Sequence, residues 1–569
     1  MKRNPVMLRI PLFLLLTVFA LICYFSQNEK SITVDEFSHF PSGIYNLLTI
    51  DWRMDHESPP FIKCLPAITS IITQPKIDPE LFERETNPWS LGYHFMYANQ
   101  HHYQNTFRYG RCVIILIGCL LGWLVYRFGT ELYGRRGGFF ALFLYVFNPN
   151  IIAHSRLITI DIGASCAILF SIYFFWRYLN RRDIFSSIIA GFTLGLAQLS
   201  KFTALLLYPI FIIIIVILVI KRGFFINDNS DTYKKSLIIK DFGHLLLIFL
   251  ISILVINAGY LFSGTFTSLG DYHFLSGLLR EISSLPRSGL PLPLPYDYIN
   301  GFDSQLAISE GNNPFYISYL LGEHSLQGWW YYYLIAFIVK NPSIFFPILL
   351  IVILPFNKKE DIKIEDALCI WTPVILFLFY FSFFTHVSIG IRLLLPVFPL
   401  FFLAAGNFIN TKFLENKTGK IIVSLLAILY LIPAISSFPN YLSYFNFIAG
   451  GAKNGHRWLI DSNLDWGQDL QGLKKYMEKN GVEDIKLGYF GRVDPELYGI
   501  NYSLPDRQPE EGINAISINF LVGRPYYLLK DDPKELVFAD LNYFERYKSL
   551  KPIEVINNTI YIFKITNHE

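Results

Sequence analysis

Two acidic residues side by side, Asp35 and Glu36, follow the first apolar run of the chain, and a third carboxylate, Asp161, opens a later run. One carboxylate can take a proton from a hydroxyl as general base, while another orients the hydroxyl or a metal. Isolated basic residues stand at similar borders: Arg111, Lys201, Lys340 and Arg392. Guanidinium and ammonium groups bind anions such as phosphate. Carboxylates opposite cations at a bilayer surface suit transfer of a group from a lipid phosphate to an acceptor outside the cytoplasm. Charged groups at membrane depth are costly unless paired or solvated, and they mark sites by default. For any one of these basic residues, snorkelling to lipid headgroups is an equally simple account, with Asp161 capping a helix. For the whole set together with Asp35 it is less persuasive. The acidic stretch from Val34 runs to Lys63 and includes Glu57-Ser58-Pro59-Pro60. The proline pair disfavours helix at Ser58 and holds that segment extended.

The elements that must position these residues are written in the composition. The 569 residues are 52% hydrophobic and only 16% charged, where a soluble domain carries about a quarter charged residues. A polytopic α-helical membrane protein is expected. The net charge of +3 is spread over many short loops, which argues against a nucleic-acid surface. The cysteines show no CxxC or CxxH spacing, so neither a disulfide framework nor a cysteine zinc cluster is expected. The N-terminal apolar run follows Lys2 and Arg3 and lacks a small-x-small cleavage site, which predicts a retained first span. Further runs lie at 112–127, 138–152, 160–176, 184–199, 202–220, 237–262, 329–354, 367–384, 393–408 and 421–435, giving about eleven transmembrane helices.

Basic residues fall in alternate loops: Lys2 and Arg3, Arg135 and Arg136, Arg177 with Arg181 and Arg182, Lys221 to Lys235, Lys358 with Lys359 and Lys363, and Lys412 with Lys417 and Lys420. By the positive-inside rule these loops and the N-terminus are cytoplasmic. The predicted organisation is a membrane domain over 1–437, with outer loops at 26–107 and 263–328, and an extracytoplasmic domain over 438–569. A multi-pass protein of the plasma (inner) membrane is the expectation. The tail has alternating stretches at Ile485 to Phe490 and Ile560 to Ile565 and a helical run from Leu470 to Asn480, which reads as a small α/β domain. Trp329 to Tyr333 reads as an interfacial aromatic belt, and Asp461 and Asp465 read as caps of turns in the tail, the alternative being a lid or acceptor-binding loop that reaches the site.

The motifs, taken in order, resemble the glycosyltransferases of the GT-C superfold, specifically the family 39 group of protein O-mannosyltransferases and the bacterial aminoarabinose transferase of lipid A. The resemblance rests on Asp35-Glu36 after the first span, Glu57-Ser58-Pro59-Pro60, the run Arg156 to Asp161, Leu199-Ser200-Lys201, Gly390 to Pro396, and Asp461 to Leu470 in the tail. It implies a polyprenyl-phosphate-linked sugar as donor and inversion at the sugar carbon. The acceptor would be an extracytoplasmic hydroxyl on a lipid, glycan or protein. On this pattern Asp35 is the prime catalytic carboxylate, Glu36 supports it, and Asp161 is a second acid. Lys201, Arg392, Arg111 and Lys340 would hold the lipid phosphate. Ser58 departs from the pattern, since relatives often carry Lys or His there.

Glu57, His324 and His386 map to the outer face and could together ligate a divalent metal, as a Glu/His set does in the aminoarabinose transferase. The absence of short ligand spacing favours separate surface histidines and a loop-fixing Glu57. The rival reading from another class is a transporter or flippase for a polyprenyl-linked or anionic substrate. Such a protein would show paired repeats with interrupted spans near the midplane, and no repeat is evident. A non-catalytic scaffold displaying the tail would leave the opening carboxylates unexplained.

Overall fold

The computed structural model describes residues 10–78, 85, 87–225, 231–284, 289–311, 316–354, 362–531 and 534–566, with backbone alone at 222–225 and 231–237. Of the basic residues used for topology, Lys2, Arg3, Lys358 and Lys359 lie outside the described residues.

Every predicted apolar run is helical, and the chain is a polytopic helical membrane protein. Among the described residues, eight helices are long and apolar enough to cross a membrane, or nine with one bent pair. The difference from about eleven has three local causes. Tyr103–Val146 is a single element of 44 residues that holds two of the runs, broken at Gly134 with φ 75°. Glycine takes this left-handed conformation without a Cβ clash. The run at 329–354 forms two helices, Tyr332–Lys340 and Phe345–Ile353, which meet at 114°. Pro342 lies in the break, and proline bars the residue before it from helix. The third cause is Ile184–Gln198, which is apolar but has only 15 residues, short of the roughly 20 that span a bilayer.

The acidic stretch is also more ordered than its charges suggest. Val34–Thr49 is a helix that begins at a Thr-x-x-Glu box, in which the Glu36 carboxylate accepts the Thr33 N–H at 3.0 Å. Pro59 is extended, as expected, but Pro60 opens a second helix, Pro60–Ala67. Proline is tolerated there because the first helical N–H has no partner inside the helix.

In the tail, a five-stranded sheet runs in the order Asn501–Ser503, Asp484–Gly488, Gly512–Ser517, Ile560–Ile565, Glu554–Ile556. The first three strands are parallel and the last two antiparallel to their neighbours. The amphipathic helix Leu470–Asn480 lays Leu470, Leu473 and Met477 on Ile485, Leu487 and Ile562. It ends at Gly481 in the left-handed region (φ 65°), so both helix and stop match the sequence reading.

The tail is tied to the start of the acidic stretch. Ser31 N–H donates to Gln468 O at 2.9 Å and Val34 N–H to Trp466 O at 3.0 Å. Lys30 pairs with Asp469 at 2.5 Å with both side chains buried. The segment 461–469 is thus wedged beside Asp35.

Candidate active site

Four of the expected catalytic and phosphate-binding residues meet, with Glu57, on the wall of one cavity of about 1060 Å³. Asp35 lies in the first turn of Val34–Thr49, and Asp161 is the first residue of the span Asp161–Arg181. Lys201 directly precedes the span Phe202–Lys221, and Arg392 is the second residue of Ile391–Asn410. Three spans therefore begin at this point, and their N-terminal ends favour negative charge. Lys201 Nζ lies 2.6 Å from Asp161 Oδ1, and Arg392 Nη1 lies 2.5 Å from Asp35 Oδ2 and 3.8 Å from Asp161 Oδ2. Arg392 is thus shared between the two carboxylates. Asp161 is fully buried while the Asp35 side chain keeps 20% of its exposure, so of these two Asp35 is the one open to the cavity. The Arg392 guanidinium also lies 4.4 Å from the Trp466 ring centroid, a cation–π contact that fixes its plane.

Gly390 explains how the tail comes so close. A Cβ there would stand 2.2 Å from Ser462 Oγ, and the Ser462 hydroxyl donates to Ile389 O at 2.8 Å. A side chain at 390 would displace the Ser462 hydroxyl from Ile389 O and loosen this contact with the tail.

Other expected residues are engaged elsewhere. Arg111 binds both oxygens of Glu36, at 2.7 and 2.6 Å, and Glu36 also accepts the Ile158 N–H. Neither lines the cavity. Burial alone would raise the Glu36 carboxyl, but Arg111 and the two backbone N–H groups hold it below the usual carboxylate range. This pair anchors the helix Val34–Thr49 to Tyr103–Val146, and Arg111 is not placed to hold a phosphate. Lys340 is buried and donates to Leu442 O at 2.8 Å and Asn463 O at 2.6 Å, so it clamps the tail to the broken span.

Glu57 lines the cavity, and among the described residues it has no ion-pair partner. Its side chain is exposed there. The metal expectation does not fit the geometry. His324 sits in the hairpin Ser318–Leu320/Glu323–Ser325 against Tyr319, and His386 Nδ1 lies 3.0 Å from Gln327 O. Neither lines the cavity with Glu57, and among the described residues no three His, Cys, Asp or Glu side chains converge on one point.

From the sequence, the tail's share of the wall is only the alternative reading of Asp461 and Asp465, and Arg492, Arg524 and Tyr526 are missed. Asp461 and Asp465 do cap tail turns, accepting the Ser462 N–H at 2.6 Å and the Gly467 N–H at 3.0 Å, and Asp461 also faces the cavity and pairs with Arg524 at 3.0 Å. Asp465 is buried, accepts the Ser517 hydroxyl, and burial pushes its carboxyl up to about 7. Trp466, Arg492, Arg524 and Tyr526 also line the cavity. The available signal was the density of polar residues in Asp461 to Asp469, unusual for a segment bounded by Leu459-Ile460 and Leu470. The aromatic run divides as well: Trp330 is exposed as a belt residue is, but Tyr332 and Tyr333 are buried and hydrogen-bonded to Asn463 and Val387 O.

Beside Asp35, His39 Nδ1 meets Asp55 at 2.9 Å, with Lys63 on the far side of Asp55. Burial would lower the imidazole pKa, but Asp55, with Asp35 behind it, holds it above 6.5. A group whose folded pKa is raised contributes stability that is full below its unfolded value and is lost as pH rises through the folded value. The melting midpoint is expected to fall as pH is raised above about 6.5 and through the raised folded value, and His39→Gln should flatten that fall. An identical pH dependence in the variant would remove His39 as its source.

Among solved structures, the chain is similar to ArnT from Cupriavidus metallidurans bound to undecaprenyl phosphate, at 11% identity over 92% of this chain and 97% of that one, with a TM-score of 0.46. It is also similar to the archaeal oligosaccharyltransferase AglB from Archaeoglobus fulgidus in complex with an inhibitory peptide and a dolichol-phosphate, at 13% identity over 93% and 74%, with a TM-score of 0.43. No curated protein matches the chain. Residues 103–239, which carry Asp161 and Lys201, match the dolichyl-phosphate-mannose-protein mannosyltransferase family, and it is this family that the chain resembles there.

Proposed function

We propose that the chain transfers a sugar from a polyprenyl-phosphate-linked donor to a hydroxyl on the extracytoplasmic side of the plasma membrane, with inversion. The observation that carries this reading is the pair of cations shared with two carboxylates, Lys201–Asp161 and Arg392–Asp35, at the point where three spans begin. The family match over 103–239 supports the same reading.

The chemistry follows from the charges. The donor phosphate enters between Lys201 and Arg392, whose charge offsets what develops on the departing lipid phosphate as the sugar–oxygen bond breaks. Binding of that anion draws Arg392 from Asp35 and frees the Asp35 carboxylate. Asp35 then takes the proton of the acceptor hydroxyl as its oxygen bonds to the sugar carbon from the opposite face. Asp161, buried behind the cations, keeps Lys201 and Arg392 in place and is a positioning residue. Glu36 holds the helix that carries Asp35. The outer-face orientation follows the basic-loop pattern, which puts the N-terminus in the cytoplasm and the tail outside.

The transporter alternative would use an interrupted span to line its path. The interrupted span here places Lys340 on backbone carbonyls and not on the cavity.

A charge-assisted hydrogen bond contributes roughly 1.5–3 kcal/mol. Lys201→Ala is therefore expected to weaken binding of an undecaprenyl-phosphate-linked sugar about tenfold to a hundredfold, read by titration of the purified protein in nanodiscs. Unchanged donor affinity in the folded variant would take Lys201 out of the site.

A further inference from the structure

The cations on the cavity wall differ in their partners. Lys201, Arg392 and Arg524 each pair with a carboxylate. Arg492 also lines the cavity and is 7% exposed, but among the described residues no carboxylate lies within ion-pair distance of it. Its guanidinium instead sits among aromatic rings, 5.1 Å from the centroid of Trp89, 4.7 Å from Tyr526 and 5.0 Å from Tyr527. Its Nε donates to the Tyr526 hydroxyl at 2.9 Å. Trp89 comes from the outer loop and the two tyrosines from the tail, so the collar is assembled from both parts of the chain. Desolvating a cation without a counter-charge costs several kcal/mol. Ring faces recover only part of that cost.

The planar fork of a guanidinium fits a carboxylate or phosphate, and the surrounding rings present apolar faces suited to the C–H side of a sugar ring. The donor's phosphate already has the Lys201 and Arg392 pole. We propose that Arg492, collared by Trp89, Tyr526 and Tyr527, is a second anion subsite, which holds a carboxylate or phosphate group on a saccharide acceptor while the acceptor hydroxyl lies at Asp35. The assignment to the acceptor rests on the transferase reading above, whereas the anion subsite itself does not.

The test uses the full chain in nanodiscs and two probes that differ in one group, octyl β-D-glucuronide and octyl β-D-glucoside, with undecaprenyl phosphate as a third. Binding is read by titration without turnover, so a lack of transfer activity would count against the proposed reaction and leave this result intact. The wild type is expected to bind the glucuronide about tenfold or more tightly than the glucoside. Arg492→Gln should abolish that preference and leave undecaprenyl phosphate binding unchanged. Lys201→Ala should do the reverse. Equal binding of the two octyl probes by the wild type, or a preference that survives Arg492→Gln, would overturn the subsite. If Arg492→Gln weakened undecaprenyl phosphate as much as the glucuronide, the anion would be the donor's and the acceptor assignment would fall. Should Arg492→Gln fail to fold, Arg492→Lys keeps the charge but loses the fork. The preference should then drop about threefold or more, and full retention would overturn the proposal.

Discussion

Asp35→Asn is expected to lower sugar transfer by at least about a hundredfold and to leave membrane insertion and thermal stability close to those of the wild type, since a general base contributes roughly 10²–10⁴ in rate. The variant is a clean one. Asn has the shape of Asp, Asp35 is partly open to the cavity, and Arg392 keeps Asp161 as a counter-charge at 3.8 Å when the Asp35 charge is removed. The rate is read in proteoliposomes with a polyprenyl-phosphate-linked sugar, and folding by the melting curve of the same preparation. Full activity in Asp35→Asn would reject the catalytic role. A large loss of stability would show that the Arg392 pair is structural.

The second large effect is on folding. Arg111→Ala leaves the fully buried Glu36 carboxylate facing only backbone N–H groups and the Thr33 hydroxyl. Breaking a buried ion pair by removing one partner costs about 3–5 kcal/mol, because the remaining charge stays desolvated. That is a large share of the stability of an ordinary domain. The variant should therefore insert poorly or melt far below the wild type. The double variant Arg111→Met/Glu36→Gln, which removes both charges, should recover part of the loss. A well-folded Arg111→Ala protein with weakened donor binding would contradict this and return Arg111 to the phosphate site. Because the Glu36 pKa is held down in the folded state, its contribution is present above the unfolded value of about 4.5 and is lost as pH falls through the folded one.

That Asp35, Asp161, Lys201 and Arg392 belong together was legible because a charge beside an apolar run is rare. Glu36, Arg111 and Lys340 carry the same signature, yet their charges are spent inside the protein. Sequence reports where a charge sits along the chain but not which partner lies across the fold, and Arg111 finds Glu36 seventy-five positions away. The helix at Val34–Thr49 was available in principle from Thr33-x-x-Glu36, a box overshadowed by the acidity and prolines of the stretch. Span positions were readable from hydropathy, but Gly134 and Pro342 decide how the runs are broken, and that depends on local backbone geometry. The tail's helix and two of its strands showed through their periodicity. Of its cavity residues, Trp466 stands in the motif at 461–470, but Arg492 and Arg524 stand in a polar domain where charges are common and nothing singles them out.

The most direct measurement is a structure determined with undecaprenyl phosphate bound. The phosphate is predicted in the cavity within about 3 Å of Lys201 Nζ and the Arg392 guanidinium, with Arg392 drawn from Asp35 and the Asp35 carboxylate facing open space. A phosphate bound outside this cavity, or bound with the Arg392–Asp35 and Lys201–Asp161 pairs both intact, would contradict the account.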